Sequence, residues 1–213
     1  MTDFAITEEN RVRRLPKRAS YDRETIYQII DEAPISHVAF VQDGRPFVIP
    51  MLHARMGDEL VFHGATASRL LKHIKTGAPI CVAFTLLDGL VLARSAFHHS
   101  VNYRSVVLYG TGRGLESPAE KLAALAAVTE HLTPGRWAEV RPPTAAELKA
   151  TAVVALAIEN ATAKLRAGPP SDDEADYALP VWAGVLPLAL QAGSAIPDER
   201  LAPGIPVPDY LVR

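Results

Sequence analysis

The sequence predicts a mainly β protein with helices (α+β), a small antiparallel barrel of six or seven strands. Strand-forming runs follow one another directly across the turn pairs Asp43-Gly44, Gly57-Asp58 and Asp88-Gly89, which are of the hairpin kind. Helical stretches are inserted singly instead of alternating with every strand, which disfavours a parallel α/β sheet. So many short strands also favour closure, because a barrel removes exposed edges.

The elements follow in order. Residues 1–19 are polar and mixed in charge and read as an extended N-terminal arm. "SYDRETIYQIIDEAP" reads as a helix that Ser20 or Asp22 caps, with Ile26, Ile29 and Ile30 on one face and Pro34 as the stop. "SHVAFVQDGRPFVIPMLHARMGDELVFHG" reads as a three-stranded meander, and "ATASRLLKHIKTGAP" as a helix capped by Thr66 and ended by Gly77 and Pro79. "ICVAFTLL" and "LVLARSAF" read as strands joined by Asp88-Gly89, and "YRSVVLYGTGRGLE" as the next strand. "SPAEKLAALAAVTEHL" has a capping box in Ser117 and Glu120, and "TAAELKA" has another in Thr144 and Glu147. "TAVVALAIENATAKLRAG" supplies one or two more strands. The main domain spans residues 20–190, and residues 191–213 form a Pro-rich extended tail.

A formal net charge of −2 gives no electrostatic case for binding nucleic acid or an acidic membrane surface. The N-terminus has no apolar signal segment and no apolar run reaches the roughly 20 residues of a membrane span, so the expected location is cytoplasmic. One cysteine, Cys81, excludes an intrachain disulfide and a Cys-x-x-Cys zinc site. Its apolar neighbours in "PICVAFTLL" predict a buried, inert thiol.

Chemistry concentrates in two stretches. In "LVFHGATASRLLKHIKTG" a strand ends at His63, and Gly64, Ala65, Thr66 and Ala67 lead into a helix whose first turns carry Ser68, Arg69 and Lys72. A hydroxyl, a guanidinium and an ammonium at that place make a phosphate cradle, or else a solvated basic face. No Walker or dinucleotide fingerprint is present. In "HHSVNYRSVVLYGTGRG" the polar run Asn102, Tyr103, Arg104 and Ser105 leads into an apolar strand. These side chains either solvate a strand end or hold something polar at the mouth of the sheet.

The succession "RPFVIPM", "ELVFHG", "ASRLLKHIKTG", "HHSVNYRSVVLYGTGRGLE" and "DYALPVWAGVLPL" resembles the FMN-binding split-barrel family. Within it, the chain is similar to the pyridoxamine 5'-phosphate-oxidase-like flavoproteins, in the branch of the nitroimidazole-resistance reductases, over roughly residues 10 to 190. The resemblance implies a six-stranded antiparallel split β-barrel and a homodimer with FMN at the subunit interface. It also implies that Val48, Ile49, Pro50 and Met51 lie along the isoalloxazine ring, and that His63, Gly64 and Ala65 line the ring or ribityl chain. Ser68 and Arg69 would bind the phosphate, with Lys72 in support because Leu70 stands where the oxidases carry a lysine. Tyr103, Arg104, Ser105 and Trp182 would reach the cofactor. The C-terminal Arg-Leu signature of true pyridoxamine-phosphate oxidases is absent, so another small molecule is the expected substrate.

The histidines give no metal site. His98 and His99 are adjacent and on an extended strand point to opposite faces, His37 and His53 read as structural, and His73 and His131 lie near helix C-termini. The expected function is an FMN-dependent oxidoreductase acting on a small molecule, a nitro compound or another electron acceptor, with no catalytic acid or nucleophile assigned. The alternatives are a non-enzymatic flavin-binding or redox-sensing module, or a split barrel that binds haem or a deazaflavin.

Overall fold

The structure, a computed structural model, describes residues 3–211. In chain order its elements are β1 (Ala19–Ser20), α1 (Arg23–Glu32), β2 (Ser36–Gln42), β3 (Arg45–Met51), β4 (Ala54–Met56), β5 (Glu59–Ala65) and α2 (Arg69–Lys75). There follow β6 (Pro79–Leu92), β7 (Ser100–Gly114), α3 (Pro118–Leu132), α4 (Ala145–Ala150), β8 (Thr151–Ala157), β9 (Asn160–Arg166) and β10 (Gly184–Pro187). The strands lie in the order β3-β2-β6-β7-β8-β5-β4, with β9 joining β7 to β1 and β10 added to β6. Every pairing is antiparallel.

Two long strands bind the halves together. β6 pairs with β2 through Ile80–Ala83 and with β10 through Gly89–Leu92. β7 pairs with β9 over Tyr103–Tyr109 and then with β8 over Gly112–Gly114. Each thus changes neighbour along its length, which closes one barrel from two partial sheets. Inside lie Val38, Phe40, Phe62, Leu70, Leu71, Ile74, Val82, Phe84, Val106 and Leu108. Each such side chain, fully removed from water, contributes roughly 1.5–3 kcal/mol. A smaller cluster joins Val61 and Val153 to Ala124 and Val128 of α3.

Local chemistry explains most elements. Asp43 (φ 52°) and Gly44 (φ 70°) are both left-handed, as a two-residue hairpin turn requires, and they join β2 to β3. The Asp22 carboxylate caps α1 by accepting the Thr25 N–H at 2.7 Å. The Thr144–Glu147 box forms as expected, with both reciprocal bonds present.

Several expectations are corrected. There are ten strands among the described residues instead of six or seven, because β1, β4 and β10 are short additions to the frame. Asp88-Gly89 closes no hairpin. β6 runs straight through it, and the register with β7 shifts between Leu87 and Gly89, which makes a β-bulge. Gly89 is required there, since a Cβ would sit 3.0 Å from Val185 Cγ1 and 3.1 Å from the Leu186 carbonyl oxygen of β10. The expected meander is two separate hairpins, β2–β3 and β4–β5, at opposite ends of the strand order. Ser68, not Thr66, caps α2, its Oγ accepting the Leu71 N–H at 3.4 Å. The Ser117 side chain makes no cap bond, and Glu120 lies instead 3.5 Å from Arg113. Cys81 is half-buried, not buried, because it alternates onto the outer face of β6.

The N-terminal segment lies against the barrel. Phe4 is buried, its N–H donates to the Tyr21 carbonyl at 2.8 Å, and the buried Asn10 reaches the Ala5 and Ala161 carbonyls. The tail returns to the end of α3, where the Tyr210 hydroxyl donates to Glu139 at 2.5 Å. Among the described residues no helix is long and apolar enough to cross a membrane.

Candidate functional site

β3 is the end of the strand order, so one of its edges is unpaired among the described residues. Pro46 and Pro50 stand opposite Val41 and His37. Proline has no N–H, so these are the positions whose backbone groups point away from β2. Val48, midway between them, shares that orientation. The open edge therefore presents the carbonyls of Pro46, Val48 and Pro50 but a single N–H, that of Val48. The Val48 N–H with one neighbouring carbonyl can pair with an acceptor and an adjacent N–H on the edge of a planar heterocycle. The Phe47, Ile49 and Met51 side chains pack against the core, while Val48 is 63% exposed on the outer face.

At the start of β3 the cradle residues assemble. Ser68 fixes the first turn of α2, and Arg69 and Lys72, three residues apart, share one helix face. The Arg69 guanidinium lies 4.6 Å above the Phe47 ring centroid. Phe47 stacks on Phe40 at 5.2 Å, and Phe40 meets the His73 ring at 4.7 Å. Two adjoining hollows of about 450 and about 410 Å³ share Gln42 and Arg69, the first lined also by Lys72 and His73, the second by Asp43, Arg45 and Phe47. A larger hollow of about 820 Å³ lies between the tail and the end of α3 and contains none of the expected site residues.

At the other end of β3, Pro50 lies across from His37, His37 from Ala83, and Ala83 from Val107. The next outward pair along β6 and β7 is Thr85 with Ser105. β3 thus leads from the basic hollow toward the polar start of β7.

That polar start divides by strand alternation. Tyr103 and Ser105 face outward, and Ser105 donates to the Lys164 carbonyl at 3.1 Å. Arg104 faces α1, where its guanidinium is held by Glu32 and by Asp88, the residue thrown out by the bulge. The Arg104 hydrogen bonds hold the Glu32 carboxyl below its usual range, and the two carboxylates push Arg104 upward. With its donors committed to carboxylates, Arg104 fixes the strand start, while Tyr103 and Ser105 face the open side. Asn102 is buried and donates to the Gly168 carbonyl at 3.1 Å.

The remaining expected residues sit apart from one another. His63 shares the Val61 face of β5 and is half-buried; burial lowers its pKa, and its Nδ1 has no partner among the described residues. Gly64 admits α2, since a Cβ there would meet Leu71 Cδ1 at 3.2 Å. Ala65 ends β5 at the surface. Trp182 is 68% exposed and folds back over Gly184, whose added Cβ would sit 2.9 Å from the indole. His98 belongs to a short 3₁₀ turn (Ala96–His98) with His99 just beyond it, so neither lies on the extended strand expected. The His99 ring is oriented by a 2.9 Å bond from Nδ1 to the Ser95 carbonyl. Among the described residues no group of three or more His, Cys, Asp or Glu could hold a metal ion. The sequence reading missed Arg45 and Gln42 on the hollow's rim; the position of Arg45 directly after the Asp43-Gly44 turn was the available signal.

No curated protein matches the chain. Among solved structures, the flavocytochrome Anf3 of Azotobacter vinelandii is 42% identical with a TM-score of 0.91, the alignment covering 97% of this chain and 96% of that one. An FAD and haem binding protein of Mycobacterium smegmatis is also 42% identical, with a TM-score of 0.87 and coverages of 92% and 96%. A 5-nitroimidazole antibiotic resistance protein of Bacteroides thetaiotaomicron, 22% identical at a TM-score of 0.59 over 68% of this chain and 85% of its own, shares the fold. The family model described as pyridoxamine 5'-phosphate oxidase matches residues 22–165, and the chain belongs to that family.

Proposed function

We propose that this protein binds a flavin along β3 and acts as a flavin-dependent oxidoreductase on a small-molecule acceptor. The observation that carries the reading is the 42% identity, over nearly the whole chain, to two proteins described as a flavocytochrome and as an FAD and haem binding protein. The open β3 edge and the basic hollow supply what such a ligand needs. The Val48 N–H and one carbonyl beside it meet an acceptor and the ring N–H of the heterocycle, and Arg69 and Lys72 meet the phosphate. The likeness to an FAD protein favours the dinucleotide over the FMN expected from sequence. The flavin supplies the hydride and electron chemistry, and the chain binds and orients it.

A homodimer belongs to the same reading. Val41 and Val48 on the outer sheet face are 60% and 63% exposed, and Leu87, Phe97 and Trp182 are 53%, 89% and 68% exposed. A second copy seated there would cover apolar surface that one chain leaves in water.

A second reading adds a haem, favoured by both 42% identical structures and by His99. A carbonyl only accepts, so the Ser95 carbonyl places the proton on Nδ1 and leaves Nε2 of the exposed His99 with its lone pair. Phe97, 89% exposed with its ring edge-on to His98 at 5.2 Å, offers apolar surface in the same short turn. These residues fit a haem held by His99.

The test is the visible spectrum of the purified protein, chromatography of what heat releases, and sedimentation. Flavin bands with released FAD and a dimer support the reading. A colourless protein that takes up neither FAD nor FMN overturns it. A Soret band that His99→Ala abolishes and His98→Ala keeps supports the haem; a band indifferent to His99 rejects that ligand.

A further inference from the structure

We propose that Arg45 recognises the second phosphate of a flavin dinucleotide and so sets the preference for FAD over FMN. This rests on the flavin reading above. Arg69 and Lys72 line one hollow from α2, and Arg69 also lines the adjoining hollow together with Arg45 at the start of β3. None of the three makes an ion pair among the described residues, although the Asp43 carboxylate lies on the same rim. Other arginines of the barrel are matched to carboxylates, as Arg55 is to Asp31 and Arg113 to Glu59. Cations gathered around two adjoining hollows repel each other, and an anion that spans them removes that cost.

The number and placement of the charges indicate which anion. Two cations one turn apart on a helix satisfy a single phosphate. A third, in the adjoining hollow, is superfluous for a mononucleotide, but it meets the second phosphate of a pyrophosphate. Arginine suits this role because its planar fork binds phosphate oxygens in pairs. The Gln42 amide lies on the wall shared by both hollows and adds a neutral donor between them. Arg69 is braced against Phe47, so its guanidinium is held in place before the ligand arrives.

The experiment titrates flavin-stripped protein with FAD and with FMN, following flavin fluorescence, for the wild type, Arg45→Ala and Arg69→Ala. Wild type should bind FAD at least tenfold more tightly than FMN. Arg45→Ala should lose about tenfold in FAD affinity while FMN affinity stays within about twofold, and Arg69→Ala should lose tenfold or more for both. Arg45→Gln, which keeps donors without charge, should fall between. Equal losses for both flavins, or none, in Arg45→Ala would overturn the assignment and leave the flavin reading intact. Wild-type protein that binds neither flavin would remove the flavin reading itself.

Discussion

The Arg69 guanidinium stands 4.6 Å over the face of Phe47, which places the charge of α2 above the first half of β3. The ring sets where the guanidinium sits, and the guanidinium sets where an anion can rest. Because Arg69 is exposed and makes no ion pair among the described residues, Arg69→Ala should remove ligand affinity with little change in stability. Stability should move by less than about 1 kcal/mol, the scale of a cation–π contact at an exposed site. A melting curve beside the flavin titration separates the two effects, and an unstable variant would mean that Arg69 serves the fold.

Arg104 makes the opposite prediction. Its guanidinium joins Glu32 of α1 to Asp88 of the β6 bulge, with all three side chains partly exposed. Arg104→Ala should lower stability by about 1 kcal/mol, since solvent screens such a network, and leave flavin affinity within about threefold. Denaturant unfolding gives the first quantity and titration the second. A large affinity loss without destabilisation would return Arg104 to the binding site.

His53 sets a pH limit. It is fully buried, donates from Nε2 to the Ile30 carbonyl at 3.0 Å, and stacks 4.7 Å from His131, itself bonded to the Ala33 carbonyl. Burial pushes its pKa down from 6.5 to about 4. The unfolded chain therefore binds a proton at higher pH than the native one, and native stability falls as pH drops from about 6.5 toward 4. A shift of that size corresponds to about 3 kcal/mol, complete near pH 4 and absent above about pH 7. Unfolding curves across this window should show the loss, and His53→Gln should flatten it.

Gly89 is fixed by contact and not by turn chemistry. A methyl there meets Val185 and the Leu186 carbonyl at 3.0 and 3.1 Å, so Gly89→Ala should force β10 away from β6. The expected cost is about 1–3 kcal/mol, with faster amide exchange confined first to residues 184–187. Uniform exchange across the barrel would contradict that local picture.

The contrast between two Asp-Gly pairs explains what was legible in the sequence. Asp43-Gly44 turns the chain because nothing beyond Gln42 and Arg45 continues the ladder. Asp88-Gly89, the same dipeptide, becomes a bulge because β7 pairs on both sides of it and β10 docks over the glycine. Those partners lie elsewhere in the chain, so no local pattern separates the two outcomes. The site divides in the same way. Arg69 stands at the helix start and could be placed there from sequence, although the cap itself was assigned to Thr66 instead of Ser68. The commitment of Arg104 depends on Glu32, 72 residues away, and was hidden.

The prolines of β3 have one more effect. A foreign strand that approached the open edge would need a donor at every second residue, and Pro46 and Pro50 withhold two of three. With one N–H among three outward positions, the edge lacks the donors that a polypeptide ladder requires. That spacing guards the protein against joining its sheets end to end.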